Sequence, residues 1–138
     1  MIVLDCSAGV AMVRGTDDGR ALRALVLEGE QIIAPSFYRV ELANVAWKLE
    51  RGGTLSSQGA TALLEGGAAL VDAYVDEGEL LVEALGQAQR LGHCVYDMLY
   101  LVLARRCAAT LFTLDAKLQR LAATCGVACP SGIALEQS

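Results

Sequence analysis

Short apolar runs alternate with helical stretches along most of the chain. Ile2-Val3-Leu4 is an unbroken apolar run, the pattern of a strand buried on both faces. It ends at Asp5, and a helix that Ser7 can cap follows. Asp18 to about Glu28 sets Leu22, Leu25 and Val26 at helical spacing. Ile32-Ile33-Ala34 predicts a second strand, ended by Pro35, and Ser36 opens a long helix that Gly52-Gly53 stops after Arg51. Ser56 to Ala69 also reads as a helix, weakened by Gly59, Gly66 and Gly67. Leu70 to Val75 predicts a third strand, which Asp72 interrupts. Two helices follow, Glu79 to Leu91, ended by Gly92, and Tyr96 to Cys107, apolar on nearly every side. Thr110 to Leu114 is a strand that runs into Asp115, and Ala116 to about Thr124 is a helix. From Gly126 the pattern fits a short strand or coil.

Non-alternating apolar strands separated by helices predict an α/β fold, a mostly parallel sheet covered on both faces. The 138 residues suit one domain over 1–138, and no internal repeat divides them.

Composition adjusts this picture in three ways. The hydrophobic share of 54% and mean hydropathy of +0.43 exceed what a core of this size needs, which favours self-association. No segment reaches the ~18 consecutive apolar residues of a membrane helix. The opening Met1 to Leu4 lacks the basic start of a secretion signal, so a cytoplasmic location is expected. The net charge of −5 excludes a protein that coats nucleic acid generally. It leaves room for an enzyme that cuts nucleic acid, because metal-binding carboxylates contribute to that charge. Arg105-Arg106 and Lys117 with Arg120 are candidates for phosphate contacts, or simply solvated helix faces. The five cysteines, Cys6, Cys94, Cys107, Cys125 and Cys129, form no disulfide framework and no CxxC pair. They read as small apolar residues in a reducing compartment, and Cys125-x-x-x-Cys129, with His93 as the one histidine, makes a poor zinc site.

Chemistry gathers on four acids. In open α/β sheets ligands sit beyond the carboxyl ends of the strands. Asp5 and Asp115 each close an apolar strand, so neighbouring parallel strands would put both on one rim; each also suits an N-cap. Glu41 lies within the Ser36 helix, at the border of an apolar arc of Tyr38, Leu42, Val45 and Leu49. Asp97 opens a helix that continues Met98-Leu99-Tyr100-Leu101-Val102-Leu103. A carboxylate entering such surroundings must be paired, neutralised or metal-bound, since a helix N-terminus offsets only roughly 0.3–1 kcal/mol. Four carboxylates on one rim would suit magnesium or manganese, which prefer oxygen ligands.

These acids and their surroundings resemble the pattern of the PIN-domain family. Leu4-Asp5-Cys6-Ser7 is similar to its first-strand Asp-x-Ser signature, and Pro35-Ser36 with Glu41-Leu42-Ala43-Asn44 to its second motif. Tyr96-Asp97-Met98-Leu99-Tyr100-Leu101-Val102-Leu103-Ala104 is close to the third, and Thr113-Leu114-Asp115-Ala116-Lys117-Leu118 to the fourth. The resemblance covers nearly the whole chain and is nearest to the VapC toxins. It implies a three-layer fold, cleavage of RNA phosphodiesters, a cognate antitoxin and a homodimer. It also implies that Asp5, Glu41, Asp97 and Asp115 hold Mg2+ or Mn2+ and act in catalysis, with Ser7, Asn44 and Thr113 supporting them from behind. Two departures stand out. His93-Cys94-Val95 replaces the Ser or Thr that often caps the third motif, and Ala116-Lys117-Leu118 lacks the further acid some members carry, which favours one metal. A non-catalytic PIN-like module for RNA or antitoxin is the alternative, and the presence of all four acids counts against it. A response-regulator receiver fits less well, because Asp5 has no acidic partner beside it, and a dehalogenase-type phosphatase wants Asp-x-Asp where Asp5-Cys6-Ser7 stands.

Overall fold

Among the described residues, four short strands build the sheet: β1 (Ile2–Leu4), β2 (Ile32–Pro35), β3 (Ala73–Val75) and β4 (Thr110–Phe112). The computed structural model describes residues 1–131. The strand order is β3-β2-β1-β4 and every pairing is parallel. Parallel neighbours need crossovers, and helices supply them: α1 (Cys6–Arg14), α2 (Asp17–Leu25), α3 (Phe37–Arg51), α4 (Ser57–Ala69), α5 (Leu81–Leu91), α6 (Val95–Cys107) and α7 (Ala116–Thr124). The fold is α/β, a central sheet flanked by helices. Every residue of β1 and β2 is buried, which explains why these runs show no polar alternation.

Helix α6 is the central prop. Its residues Met98 to Ala104 are all buried, and it packs on β1, β2 and β4. Helices α1 and α2 lie close enough that a Cβ at Gly19 would run into the Ala11 carbonyl. That position tolerates only glycine, although alanine is the better helix former by about 1 kcal/mol. Across the molecule, the Tyr38 hydroxyl donates to the Gly67 carbonyl at 2.8 Å and ties α3 to α4.

Several boundaries differ from the sequence reading, each for a local reason. Asp5, not Ser7, caps α1, accepting the Ala8 N–H at 2.9 Å. Helix α2 ends at Leu25, after which Val26 is extended. Pro35 belongs to β2, where it pairs with Val75 beyond the residues that face β1, so the ladder loses no donor. The third strand starts only at Ala73. Asp72 precedes it and clamps it to β2, its carboxylate accepting the Ile32 N–H at 2.8 Å and its own N–H donating to the Ile32 carbonyl at 2.8 Å. Strand β4 stops at Phe112, two residues short of Leu114. After α7 the chain returns beside β4 without a strand, and Leu111 N–H donates to the Ala128 carbonyl at 2.8 Å. The rest of the predicted tail, 132–138, lies outside the described residues.

Candidate metal centre

Because the strands are parallel, their carboxyl ends share one rim. Register pairs Leu4 with Phe112, so the residues after β1 and β4 emerge side by side. The Asp5 N–H donates to the Phe112 carbonyl at 3.0 Å and fixes that junction. Here a cavity of about 330 Å³ opens, lined by Asp5, Glu41, Asp97 and Asp115 together with Ser7 and Tyr100. Cys6, Val10 and Val45 complete its wall. Asp5, Glu41, Asp97 and Asp115 thus face one space, and among the described residues no lysine or arginine lines it to balance their charge.

Asp5 sits deepest, at 5% exposure. Burial pushes its carboxyl up from 3.8 to about 6. Hydrogen bonds from Thr113, the Ala8 backbone and Ser7 pull it back in part, while Asp97 repels its charge and raises it. The Ser7 hydroxyl donates to Asp5 Oδ1 at 2.7 Å and accepts the Leu114 N–H at 3.0 Å. One hydroxyl therefore joins the first acid to the loop that presents the fourth. Thr113 is fully buried, and its Oγ1 accepts the Asp115 N–H at 3.1 Å. Asp115 caps α7, accepting the N–H groups of Lys117 and Leu118 through Oδ1. Its two roles coexist: the cap uses one oxygen, and the residue still lines the cavity.

Glu41 comes from α3, half-buried beside buried Tyr38 and Leu42. Burial raises its carboxyl above the usual range, and Asp5 and Asp97 push the same way. The Tyr100 hydroxyl opposes this by donating to Glu41 Oε1. Tyr100 is itself 1% exposed on α6, and its own proton is held far more tightly than in water, first by burial and then by Glu41. The sequence reading counts Tyr100 only as one of six apolar residues after Asp97. Its phenol is the polar handle that such a count hides.

Asp97 shows the same lesson differently. It is paired: Oδ2 meets His93 Nε2 at 2.6 Å, one helical turn earlier. Its apolar neighbours point to pairing, neutralisation or a metal, and His93 is the partner that they do not reveal. Arg106, on the far end of α6, instead pairs with Glu83 at 2.8 Å. Asn44 stands apart from the carboxylate cavity. It is exposed on α3 and lines a neighbouring cleft with Phe37, Val40, Glu41 and Tyr96. Cys6, read from the sequence as a small apolar residue, is buried here, and its thiol proton is held up to about 12 by burial and by Glu41 and Asp5. It fills the wall as an apolar residue.

Comparison with known proteins decides the family. The profile of the PIN domain matches residues 2–124. The chain belongs to the PIN-domain family. Within the PIN family it is VapC-like: it is 30% identical over 122 residues to Ribonuclease VapC3 of Pyrobaculum aerophilum, spanning 85% of this chain and 91% of that one. The crystal structure of PAE2754, also from Pyrobaculum aerophilum, superposes with a TM-score of 0.68 at 21% identity. That match covers 86% of this chain and 82% of the other, and it supports the shared PIN fold.

Proposed function

We propose that this PIN-domain protein is a divalent-metal-dependent endoribonuclease, the toxin of a toxin–antitoxin pair. One observation carries the reading: four carboxylates from distant parts of the chain line one cavity, with no lysine or arginine among its described lining residues. Left bare, such a set repels itself, and burial adds to the cost of each charge. An all-oxygen donor set of this kind fits magnesium or manganese better than softer ions. Asp5, Glu41, Asp97 and Asp115 would hold the ion, directly or through water. When bound, it would polarise a phosphodiester and lower the pKa of an attacking water.

The chain's own residues prepare that chemistry. Ser7 and Thr113 orient Asp5 and the Asp115 loop by the hydrogen bonds described above, and Tyr100 keeps Glu41 ready to ionise. RNA as substrate rests on the 30% identity to a protein named as a ribonuclease, and an antitoxin partner on its VapC name. Homodimer formation is supported by Leu81, Val82 and Leu85, which α5 leaves exposed. Among the described residues no helix is long and apolar enough to cross a membrane.

The test is direct. Purified protein should cleave RNA with Mg2+ or Mn2+, lose that activity in chelator, and regain it when the metal returns. Cleavage that persists unchanged in chelator would overturn the metal-dependent reading.

Tyr100→Phe offers a finer check, because phenylalanine fills the same buried space without the donor. Losing the hydroxyl leaves Glu41 with a still higher pKa, so a metal must compete harder with the proton. Affinity for Mg2+ or Mn2+ at neutral pH should fall about 10-fold, the low end for a lost supporting hydrogen bond. The deficit should shrink as pH rises. Calorimetric titration reads both, and an unchanged affinity would remove Tyr100 from the site.

A further inference from the structure

The turn between α5 and α6 carries a second set of ligand atoms, distinct in chemistry from the carboxylate cavity. Helix α5 ends at Gly92, in left-handed conformation at φ 65°, with its N–H donating to the Ala88 carbonyl. Two residues later the chain is already entering α6. His93 and Cys94 occupy that short turn, and Asp97 stands one helical turn further on. The ligand atoms of His93, Cys94 and Asp97 all lie within 4.8 Å of one another. Cys94 occupies the cap position of α6, yet its side chain makes no capping hydrogen bond. Its thiol points instead to Asp97 Oδ2 at 3.7 Å.

We propose that His93, Cys94 and Asp97 form a site for a borderline divalent cation such as zinc, sharing Asp97 with the carboxylate cavity. Tetrahedral zinc, with bonds of about 2.0–2.3 Å, holds its ligand atoms roughly 3.3–3.5 Å apart. The Cys94–Asp97 distance of 3.7 Å is close to that spacing. His93 and Asp97, hydrogen-bonded at 2.6 Å, need to part by less than about 1 Å, a side-chain movement rather than a backbone one. Cys94 is exposed, so solvent ions reach the turn and water can fill a fourth position. Imidazole with thiolate selects zinc, cobalt or nickel over magnesium and manganese, which want oxygen alone. The chain therefore holds two unlike coordination sets joined at one carboxylate. An ion on the turn takes Asp97 Oδ2 and withdraws it from the cavity. Zinc would then act as an inhibitor of the magnesium- or manganese-supported reaction, a consequence that rests on the ribonuclease reading above. The site itself does not.

Cobalt provides a coloured stand-in for zinc. Titrating reduced, chelator-treated protein with Co2+ should give one equivalent of a thiolate-to-cobalt charge-transfer band in the near ultraviolet. Zn2+ should displace it, whereas Mg2+, which competes only for Asp97, should raise the Co2+ midpoint without lowering the band at saturating Co2+. Cys94→Ser should abolish the band with an unchanged circular dichroism spectrum, and His93→Asn should weaken cobalt binding at least about 10-fold. Glu41→Gln should leave the band in place. No band at saturating Co2+, or a band that survives Cys94→Ser, overturns the site. In a cleavage assay, the zinc concentration for half-inhibition should rise at least about 10-fold in Cys94→Ser, each protein normalised to its own zinc-free rate. An unchanged midpoint overturns the inhibitory role. If the chain cleaves no RNA with any metal, the ribonuclease reading falls, and the cobalt titration still decides the site.

Discussion

Asp97→Asn should lower metal-supported RNA cleavage by at least about 100-fold while the protein stays folded. Removing a residue that only supports a metal ligand costs 10- to 100-fold in affinity or activity, and removing a ligand should cost more. Asparagine keeps the size of Asp97 and an oxygen that can accept from His93, so the start of α6 retains its hydrogen bond. The buried face of α6, Met98 to Ala104, is untouched, and the melting temperature in chelator should change little. What changes is charge: the cavity loses one of four carboxylates, and the asparagine amide adds N–H donors where an oxygen ligand is wanted. Raising the metal concentration should recover part of the lost rate, because the defect lies first in binding. A variant with the rate and metal midpoint of the parent would leave Asp97 without a role in the reaction. A variant that fails to fold would instead make Asp97 a structural residue, and circular dichroism separates the two outcomes.

Much of this arrangement can be read before any coordinates, and the reasons are physical. Asp5 follows a strand that is apolar throughout and Asp115 comes three residues after a mostly apolar one; such strands are buried in parallel sheets, so their ends share a rim. Asp97 draws attention because a charged group heads an otherwise buried helix. Strand order is a different matter. Nothing in the period of β1 or β4 says that they are neighbours, and that pairing is what brings Asp5 to Asp115. Side-chain partners across elements are equally hidden. Tyr100 meets Glu41 across 59 positions of sequence, and within an apolar run a phenol reads as core. His93 is the instructive case, because its spacing of four from Asp97 was in plain view. His93-Cys94-Val95 is a poor helix cap by its backbone, and its side chains matter more than that role suggests. Asn44, one helical turn beyond Glu41, shares its helix but not the carboxylate cavity, since it is exposed and faces the neighbouring cleft.

Asp5→Asn should make the metal-free protein more stable at pH 8, and the metal-loaded protein less so by comparison. Charge repulsion is the first explanation that four clustered acids suggest, yet burial is the larger cause at Asp5 and repulsion from Asp97 the smallest. With a carboxyl at about 6 in the folded chain against 3.8 unfolded, the folded state binds the proton more tightly. The stability this group supplies is therefore complete below pH 4 and is lost as pH rises through about 6. A shift of about 2 pH units corresponds to roughly 3 kcal/mol. Asparagine does not titrate, and it caps a helix about as well as aspartate, so the bond from Ala8 survives. Loss of a favourable charge at the start of α1 returns up to about 1 kcal/mol. With the full 1 kcal/mol deducted, the net gain at pH 8 in chelator is about 2 kcal/mol, or a melting temperature higher by roughly 4–10 °C. At pH 4 the gain should vanish. Saturating Mg2+ should reverse the order, since a metal at 100 times its Kd stabilises the parent by about 2.7 kcal/mol and a variant with weakened binding gains less. Melting curves at pH 4 and pH 8, with chelator and with Mg2+, test all four corners. A variant less stable than the parent in chelator at pH 8 would mean that Asp5 is a structural cap whose charge the fold needs. Greater stability there, reversed by the ion, would mean that the fold tolerates a costly buried acid because a cation relieves it.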